Sequence, residues 1–156
     1  MRGFKYRAWT RLAEFMGDLM LAPARRLVNG SVPELVPVPL TKAKRRERGF
    51  NQAELLAQEM SRRSGWPVAL HLSRERGGPP LARLGRWDRA KVARRAYSIR
   101  SGAAGLAGPR SAVLIVDDVI TTGATGVACA EALDAVGLEC LGIVSFARTS
   151  PLVGGG

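Results

Sequence analysis

Two adjacent carboxylates, followed within seven residues by three hydroxyls and a glycine, form the densest chemistry in this 156-residue chain. They are Asp117 and Asp118, then Thr121-Thr122-Gly123-Ala124-Thr125. Ahead of them runs Val113-Leu114-Ile115-Val116, a continuous apolar stretch of the kind buried on both faces of a parallel sheet. Residues Gly123 to Val136 read as a small-residue helix closed by Gly137, and Leu141 to Phe146 as the next strand, which makes a βαβ unit. In open parallel sheets ligands bind beyond the carboxyl ends of the strands. At this end, unpaired N–H groups of residues 122–125 and the helix dipole would hold a dianionic phosphate. Gly123 would let the backbone come close, and Thr121, Thr122 and Thr125 would add hydroxyl donors. Ionised carboxylates only accept hydrogen bonds, so Asp117 and Asp118 suit the hydroxyls of a sugar. Adjacent strand residues point to opposite faces, so both acids serve one ligand only if the chain turns at them. The alternative is that an aspartate caps the following turn and the threonines satisfy the helix start. Neither G-x-x-x-x-G-K-[ST] nor G-x-G-x-x-G occurs, which makes nucleoside triphosphates and dinucleotides poor competitors.

The elements that must position this site are legible with varying sharpness. Trp9, Leu12, Ala13, Met16, Leu19 and Met20 recur at helical spacing, which predicts an amphipathic helix from Thr10 to Ala22 ending at Pro23. Glu34 to Pro39 is short, apolar and bounded by proline, as a buried strand would be. It feeds Leu40 to Arg48, read as a loop, in which five of nine residues are basic. Asn51 followed by Glu54 offers an N-cap with a carboxylate three residues on, predicting a helix from Gln52 to Ser64. Val68 to Leu72 would be the next strand, with His71 a strand residue rather than a base. Ser73 to Arg95 holds eight basic and two acidic residues and the turn-forming Gly77-Gly78-Pro79-Pro80, which predicts a mobile basic excursion. Cys129 falls inside the predicted helix, where packing suits it better than nucleophilic chemistry.

Composition sets the outer bounds. Hydrophobic residues at 46% and charged residues at 24% exclude a disordered chain, a collagen and a coiled coil. With Cys129, Cys140 and His71 as the only thiols and imidazole, no zinc ribbon and no disulfide framework can be built, which predicts a reducing, cytoplasmic setting. No apolar run approaches the ~20 residues of a membrane helix, and Glu14 and Asp18 interrupt the stretch where a secretory apolar core would lie. The formal charge of +11 is uneven: residues 1–100 carry 22 basic and 8 acidic side chains, residues 101–156 carry 2 and 5. Clustered arginine suggests phosphate, free in a small molecule or strung along a nucleic acid, with a solvated basic surface as the alternative. Trp9, Trp66 and Trp87 lie in different segments, so no stacking platform for bases can be read.

The thirteen residues Val113 to Thr125 resemble the phosphoribosyl diphosphate motif of type I phosphoribosyltransferases. Lys5-Tyr6-Arg7, Val36-Pro37-Val38-Pro39 and Arg46-Glu47-Arg48-Gly49-Phe50-Asn51-Gln52 resemble one branch, the ComF family of late-competence and amidophosphoribosyltransferase-like proteins. The resemblance covers Phe4 to Arg148 and implies one α/β domain over residues 1–156. Its parts would be a parallel sheet, an N-terminal helical segment (1–33) and a mobile basic lid (73–95). It implies that Asp117 and Asp118, the catalytic pair, meet the ribose hydroxyls while Thr121, Thr122, Gly123, Ala124 and Thr125 hold the 5′-phosphate. It also implies that Thr41, Lys42, Lys44 and Arg48 line the diphosphate, and that Mg²⁺ is held mainly by the ligand's own diphosphate and hydroxyl oxygens. In such proteins Lys5-Tyr6-Arg7 enters the first strand. Family members carry a zinc-binding segment of paired cysteines before it, whereas this sequence reads Met1-Arg2-Gly3, so no zinc is expected. In the lid, the family's usual threonine, glutamine and asparagine are replaced by Gly78, Leu81 and Val92. Three functions are expected on this basis: transfer of the phosphoribosyl group to an unassigned acceptor, non-catalytic sensing of phosphoribosyl diphosphate, or single-stranded DNA binding in DNA uptake. Partners implied beyond the ligand are DNA, proteins of the competence machinery and a second copy of the chain, with no membrane.

Overall fold

The computed structural model describes residues 2–74, 96–101 and 111–149, with side chains from Trp9 onward. At its centre lies β4 (Ala112–Ile120), flanked by β1 (Glu34–Pro37) and β5 (Glu139–Arg148), both parallel to it, in the order β1-β4-β5. Glu34 to Pro37 pair with Val113 to Val116, and the register against β5 slips by one residue between Val113 and Leu114. On the far side of β1, the Leu35 N–H donates to the Pro67 carbonyl (2.7 Å) and the Ala69 N–H to the Leu35 carbonyl (2.9 Å), so the predicted strand 68–72 is reduced to a single bridge at Val68. Leu72 belongs instead to β2 (Leu72–Arg74), which pairs antiparallel with β3 (Tyr97–Ile99) in a separate two-stranded sheet.

Helices cover both faces of the parallel sheet. On one face, α1 (Arg2–Val28) and α3 (Gln52–Ser64) bury Met16, Met20, Leu56 and Met60 against Leu35, Leu114 and Val116. On the other, α4 (Ala124–Asp134) and the β2/β3 pair bury Leu72, Tyr97, Cys129 and Leu133 against Val36, Val113 and Ile115. Val113 to Val116 are each 0% exposed. Side chains of this class contribute about 1.5–3 kcal/mol apiece on burial. This is the α/β arrangement with a parallel sheet that the apolar run predicted. Among the described residues, no helix is long and apolar enough to cross a membrane.

Three expectations need correction. The first helix does not stop at Pro23 but continues to Val28, because its buried face continues through Ala24 and Val28 while Pro23 itself is exposed. That packing outweighs the backbone hydrogen bond that proline removes. Residues 5–7 lie within this helix rather than entering a strand. The basic segment after β1 is not a loop: Lys42–Arg48 forms α2, started by Thr41, whose Oγ1 accepts from the Lys44 N–H at 3.3 Å, and stopped by Gly49 at φ 85°. None of its residues is buried, so no hydrophobic period marks it; good helix formers and two caps suffice. Of the predicted excursion at 73–95, only Ser73 and Arg74 fall among the described residues.

One side chain ties α3 to the sheet. Asn51, 3% exposed, caps α3 by accepting from the Ala53 N–H (3.1 Å) and donates from Nδ2 to the Val38 carbonyl just past β1 (2.9 Å). Glu54 does not complete the expected capping box; its two oxygens take Arg45 Nη1 and Nη2 at 2.7 and 2.9 Å, pinning α2 to α3. Asn51→Ala removes a cap and leaves a buried carbonyl unpartnered, so a loss of about 2–3 kcal/mol is expected in urea unfolding. Arg45→Ala, which breaks only an exposed pair, should cost less than about 1 kcal/mol by the same measurement.

Candidate functional site

The acids do not sit at a turn. β4 runs through them to Ile120, with Asp117 opposite Ser145 and Val119 opposite Ala147 in β5. Strand alternation therefore carries Asp117 onto the face of Val113 and Ile115, beneath α4, and Asp118 onto the face of Leu114 and Val116. Each half-buried carboxylate accepts from the next backbone N–H: Asp117 Oδ1 from Asp118 (2.9 Å) and Asp118 Oδ1 from Val119 (2.9 Å). Beyond the strand, Thr121 and Thr122 are exposed, and Gly123 takes φ 79° as the N-cap of α4. A side chain there would be strained. Gly123 offers no side-chain cap; only the Ala124 N–H is met, by Thr122 Oγ1 at 3.4 Å. Ala124 is exposed and Thr125 half-buried at the first turn. Among the described residues the first turn of α4 has no other side-chain cap, and such helix starts bind phosphate in many folds.

Because β1 and β4 are parallel neighbours, the segments after them emerge at the same sheet edge. Thr41 and the exposed Lys42, Lys44 and Arg48 of α2 therefore lie on the same edge as residues 121–125, whereas Arg45 is engaged by Glu54. An acid pair, an open helix start and a basic helix converge on one rim.

No protein-family model matches the chain. Its sequence is 32% identical over 138 residues to Competence protein F of Haemophilus influenzae, an alignment covering 83% of this chain and 57% of that protein. Against Competence protein ComFC of Bacillus subtilis it is 33% identical over 92 residues, 58% of this chain and 34% of that protein. The chain belongs to the ComF family. It spans only about a third to just over half of the length of these two relatives.

Around Asp117 this ComF chain gathers residues that the sequence did not single out. Arg74, at the end of β2, lies with its guanidinium carbon 5.1 Å from the Tyr97 ring centroid, directly across the strand pair. Burial pushes the Asp117 carboxyl up to about 6, with the neighbouring Asp118 charge acting in the same direction, while the Asp118 N–H and Arg74 oppose it. Burial likewise pushes the Cys129 thiol up to about 12 and raises that of Cys140, so neither is a thiolate nucleophile near neutrality. His71 is buried and bonded through Nε2 to Glu34, joining the start of β1 to the residue before β2. Arg74 was one of eight basic residues in an aperiodic stretch, and nothing in that stretch distinguishes it.

Among the described residues, no group of three His, Cys, Asp or Glu side chains gathers where a metal ion could be held. Asp117 and Asp118 each use one oxygen for a backbone N–H and keep a second that could accept from a hydroxyl or a metal-bound water.

The Asp117 shift has a stability consequence. Its folded value lies above the ordinary 3.8, so between about pH 4 and 6 the native chain binds more protons than the unfolded one, and stability falls as pH rises through that window. Asp117→Asn should therefore melt about 2–5 °C above wild type at pH 7.5 and no higher at pH 4, read by ligand-free thermal unfolding across pH.

Proposed function

We propose that this chain binds phosphoribosyl diphosphate together with Mg²⁺ and displaces diphosphate from the ribose anomeric carbon in favour of an acceptor, on a phosphoribosyltransferase-like fold. The observation that supports this most is the shared rim: Asp117 and Asp118 at the end of β4, the open α4 start at residues 121–125, and basic α2 after the adjacent strand. In this reading the α4 N–H groups, with Thr121, Thr122 and Thr125, hold the 5′-phosphate. Asp117 and Asp118 accept from the ribose hydroxyls. Thr41, Lys42, Lys44 and Arg48 stabilise the negative charge that builds on the departing diphosphate, the electrostatic contribution that dominates such reactions. The bound Mg²⁺ neutralises part of the diphosphate charge. Binding without turnover is the regulatory form of the same reading, since it uses the same pocket.

Calorimetric titration of phosphoribosyl diphosphate with Mg²⁺ into wild type and Asp117→Asn/Asp118→Asn tests it. Saturable binding that the double substitution weakens at least about 100-fold is expected, as each change removes a carboxylate charge and turns one acceptor oxygen into a donor. Folded wild type that does not bind overturns the reading. Because ionised Asp117 is the stronger acceptor, affinity should also fall as pH drops below about 6.

A second reading rests on the relatives' names and the basic half of the chain. As a competence protein, the chain would bind single-stranded DNA through the cationic surface of residues 1–100, which carry 22 basic side chains against 8 acidic. Log affinity for single-stranded DNA should then fall linearly and steeply with log salt. A flat salt response removes this reading and leaves the first untouched.

A further inference from the structure

α1 is apolar on two sides. Ala13, Met16, Met20, Ala24 and Val28 make its buried face, yet Leu12, Phe15 and Leu19 are 46%, 60% and 53% exposed. At 3.6 residues per turn these three share one flank of the helix with exposed Ala22. Contacts on either side show which flank it is. Gly17 and Asp18 turn toward α3: a Cβ on Gly17 would come within 2.8 Å of Glu59 Cβ, and Asp18 Oδ1 meets Arg63 Nε at 2.7 Å. Leu27 turns toward β5, its Cδ1 3.4 Å from where a Cβ on Gly142 would stand. The stripe lies on the Leu27 side, away from α3, over the strand that ends the parallel sheet among the described residues. Trp9 meets Phe50 and Gly17 meets Glu59, so α1 runs alongside α3. Because α3 starts beside Val38 and the chain after it bonds back at Leu35, both helices run against the strands. Phe15 and Leu19 are therefore roughly 12–18 Å from the level of Gly142, which brings them beside Phe146, roughly 13 Å along β5. Phe146 shares the α1 face with Val144 and is 42% exposed, so it extends the same patch.

We infer that this flank is the contact between two copies of the chain, α1 packed antiparallel on α1 about a two-fold axis. The spacing names the occupant. Leu12, Phe15, Leu19 and Ala22 recur at three, four and three residues, the narrow seam of a helix pair and not the broad apolar face of a helix lying in a lipid surface. In the antiparallel register Phe15 faces the partner's Leu19 and Leu12 faces the partner's small Ala22, so the seam complements itself. Exposed Arg26, one turn beyond Ala22, selects the direction: a parallel pair would stack it on the partner's Arg26, whereas an antiparallel pair sends the two to opposite ends and opposes the helix dipoles. The patch is on the order of 300–500 Å², short of the ~800 Å² per partner of a standard interface, so the dimer is a weak, reversible one. Each copy carries a formal +11, so added salt should strengthen association, the opposite of its effect on nucleic-acid binding. The inference is independent of the phosphoribosyl reading, because the flank is not part of the rim.

Sedimentation equilibrium of wild type, Phe15→Glu, Leu19→Glu and, as a control on an exposed leucine elsewhere, Leu70→Glu tests it. A monomer–dimer equilibrium with Kd on the order of 10–100 μM is expected for wild type and Leu70→Glu, tightening severalfold between about 50 and 500 mM NaCl. Phe15→Glu and Leu19→Glu should each weaken it at least about tenfold while melting within about 2 °C of wild type in dilute solution, since both positions are exposed in the monomer. Register is read by disulfide formation under mild oxidation. Phe15→Cys mixed with Leu19→Cys should link faster than either variant alone, with wild type controlling for Cys129 and Cys140. Wild type that stays monomeric to about 500 μM overturns the inference, as does a dimer that survives both glutamates. Faster linking within either cysteine variant than in the mixture overturns the antiparallel pair. Monomeric wild type that binds phosphatidylglycerol vesicles, with Phe15→Glu failing to bind, overturns it too and assigns the flank to a lipid surface.

Discussion

Everything at the candidate site depends on β4 being buried on both faces. Val113 to Val116 touch no solvent, and the strand has a parallel neighbour on each side. A strand so enclosed has little freedom of register, because a one-residue slip would drive every side chain to the wrong layer. The pleat therefore continues unbroken into Asp117 and Asp118, and fixes which acid lies beneath α4 and which lies on the α1/α3 side. Asp117 is consequently the acid that feels Arg74, and its carboxyl is the one that burial raises. The parallel direction does the rest: the segments leaving β1 and β4 depart from the same end of the sheet, so a basic helix and a helix start about 80 residues apart in sequence follow the carboxyl ends of adjacent strands.

The rim is held in place by few contacts. Asn51 spans the junction, bonding the carbonyl of Val38 on one side and the start of α3 on the other. The Arg45–Glu54 pair then sets α2 against α3. Gly17 lets α1 approach α3 closely, since a Cβ there would come within 2.8 Å of Glu59 Cβ. Gly126 does the same for α4 over β5, where a Cβ would meet Ile143 Cδ1 at 2.0 Å. The glycine in α4 is thus a packing requirement.

How much of this was legible depends on how local each signal is. Gln52–Ser64 was readable to the residue because its start and stop, Asn51 and Gly65, are chemically distinctive. The 113–116 run announces a buried strand, and residues 121–125 the start of a helix, since both signals are contiguous. α2 was missed because a helix with no buried residue shows no hydrophobic period, and Pro23 misled because the packing of Ala24 and Val28 outweighs a local breaker. β2 was invisible for a different reason: three residues pair with three others more than twenty positions away, and neither triplet has a pattern of its own. Tyr97 and Arg74 were hidden with it, their contact arising only from that long-range register.

On the α4 side of the acid pair, the described residues keep two costs together: a half-buried carboxylate whose ionisation is resisted, and two buried side-chain polar atoms with no hydrogen-bond partner among them. Neither serves folding. An apolar residue at 117 and phenylalanine at 97 would satisfy the same layer, and substitutions of that kind at buried polar sites are often neutral or stabilising. Polar groups that weaken the empty fold are retained most economically where a bound species turns each cost into a contact, because a ligand stabilises the native state by the full free energy of its binding.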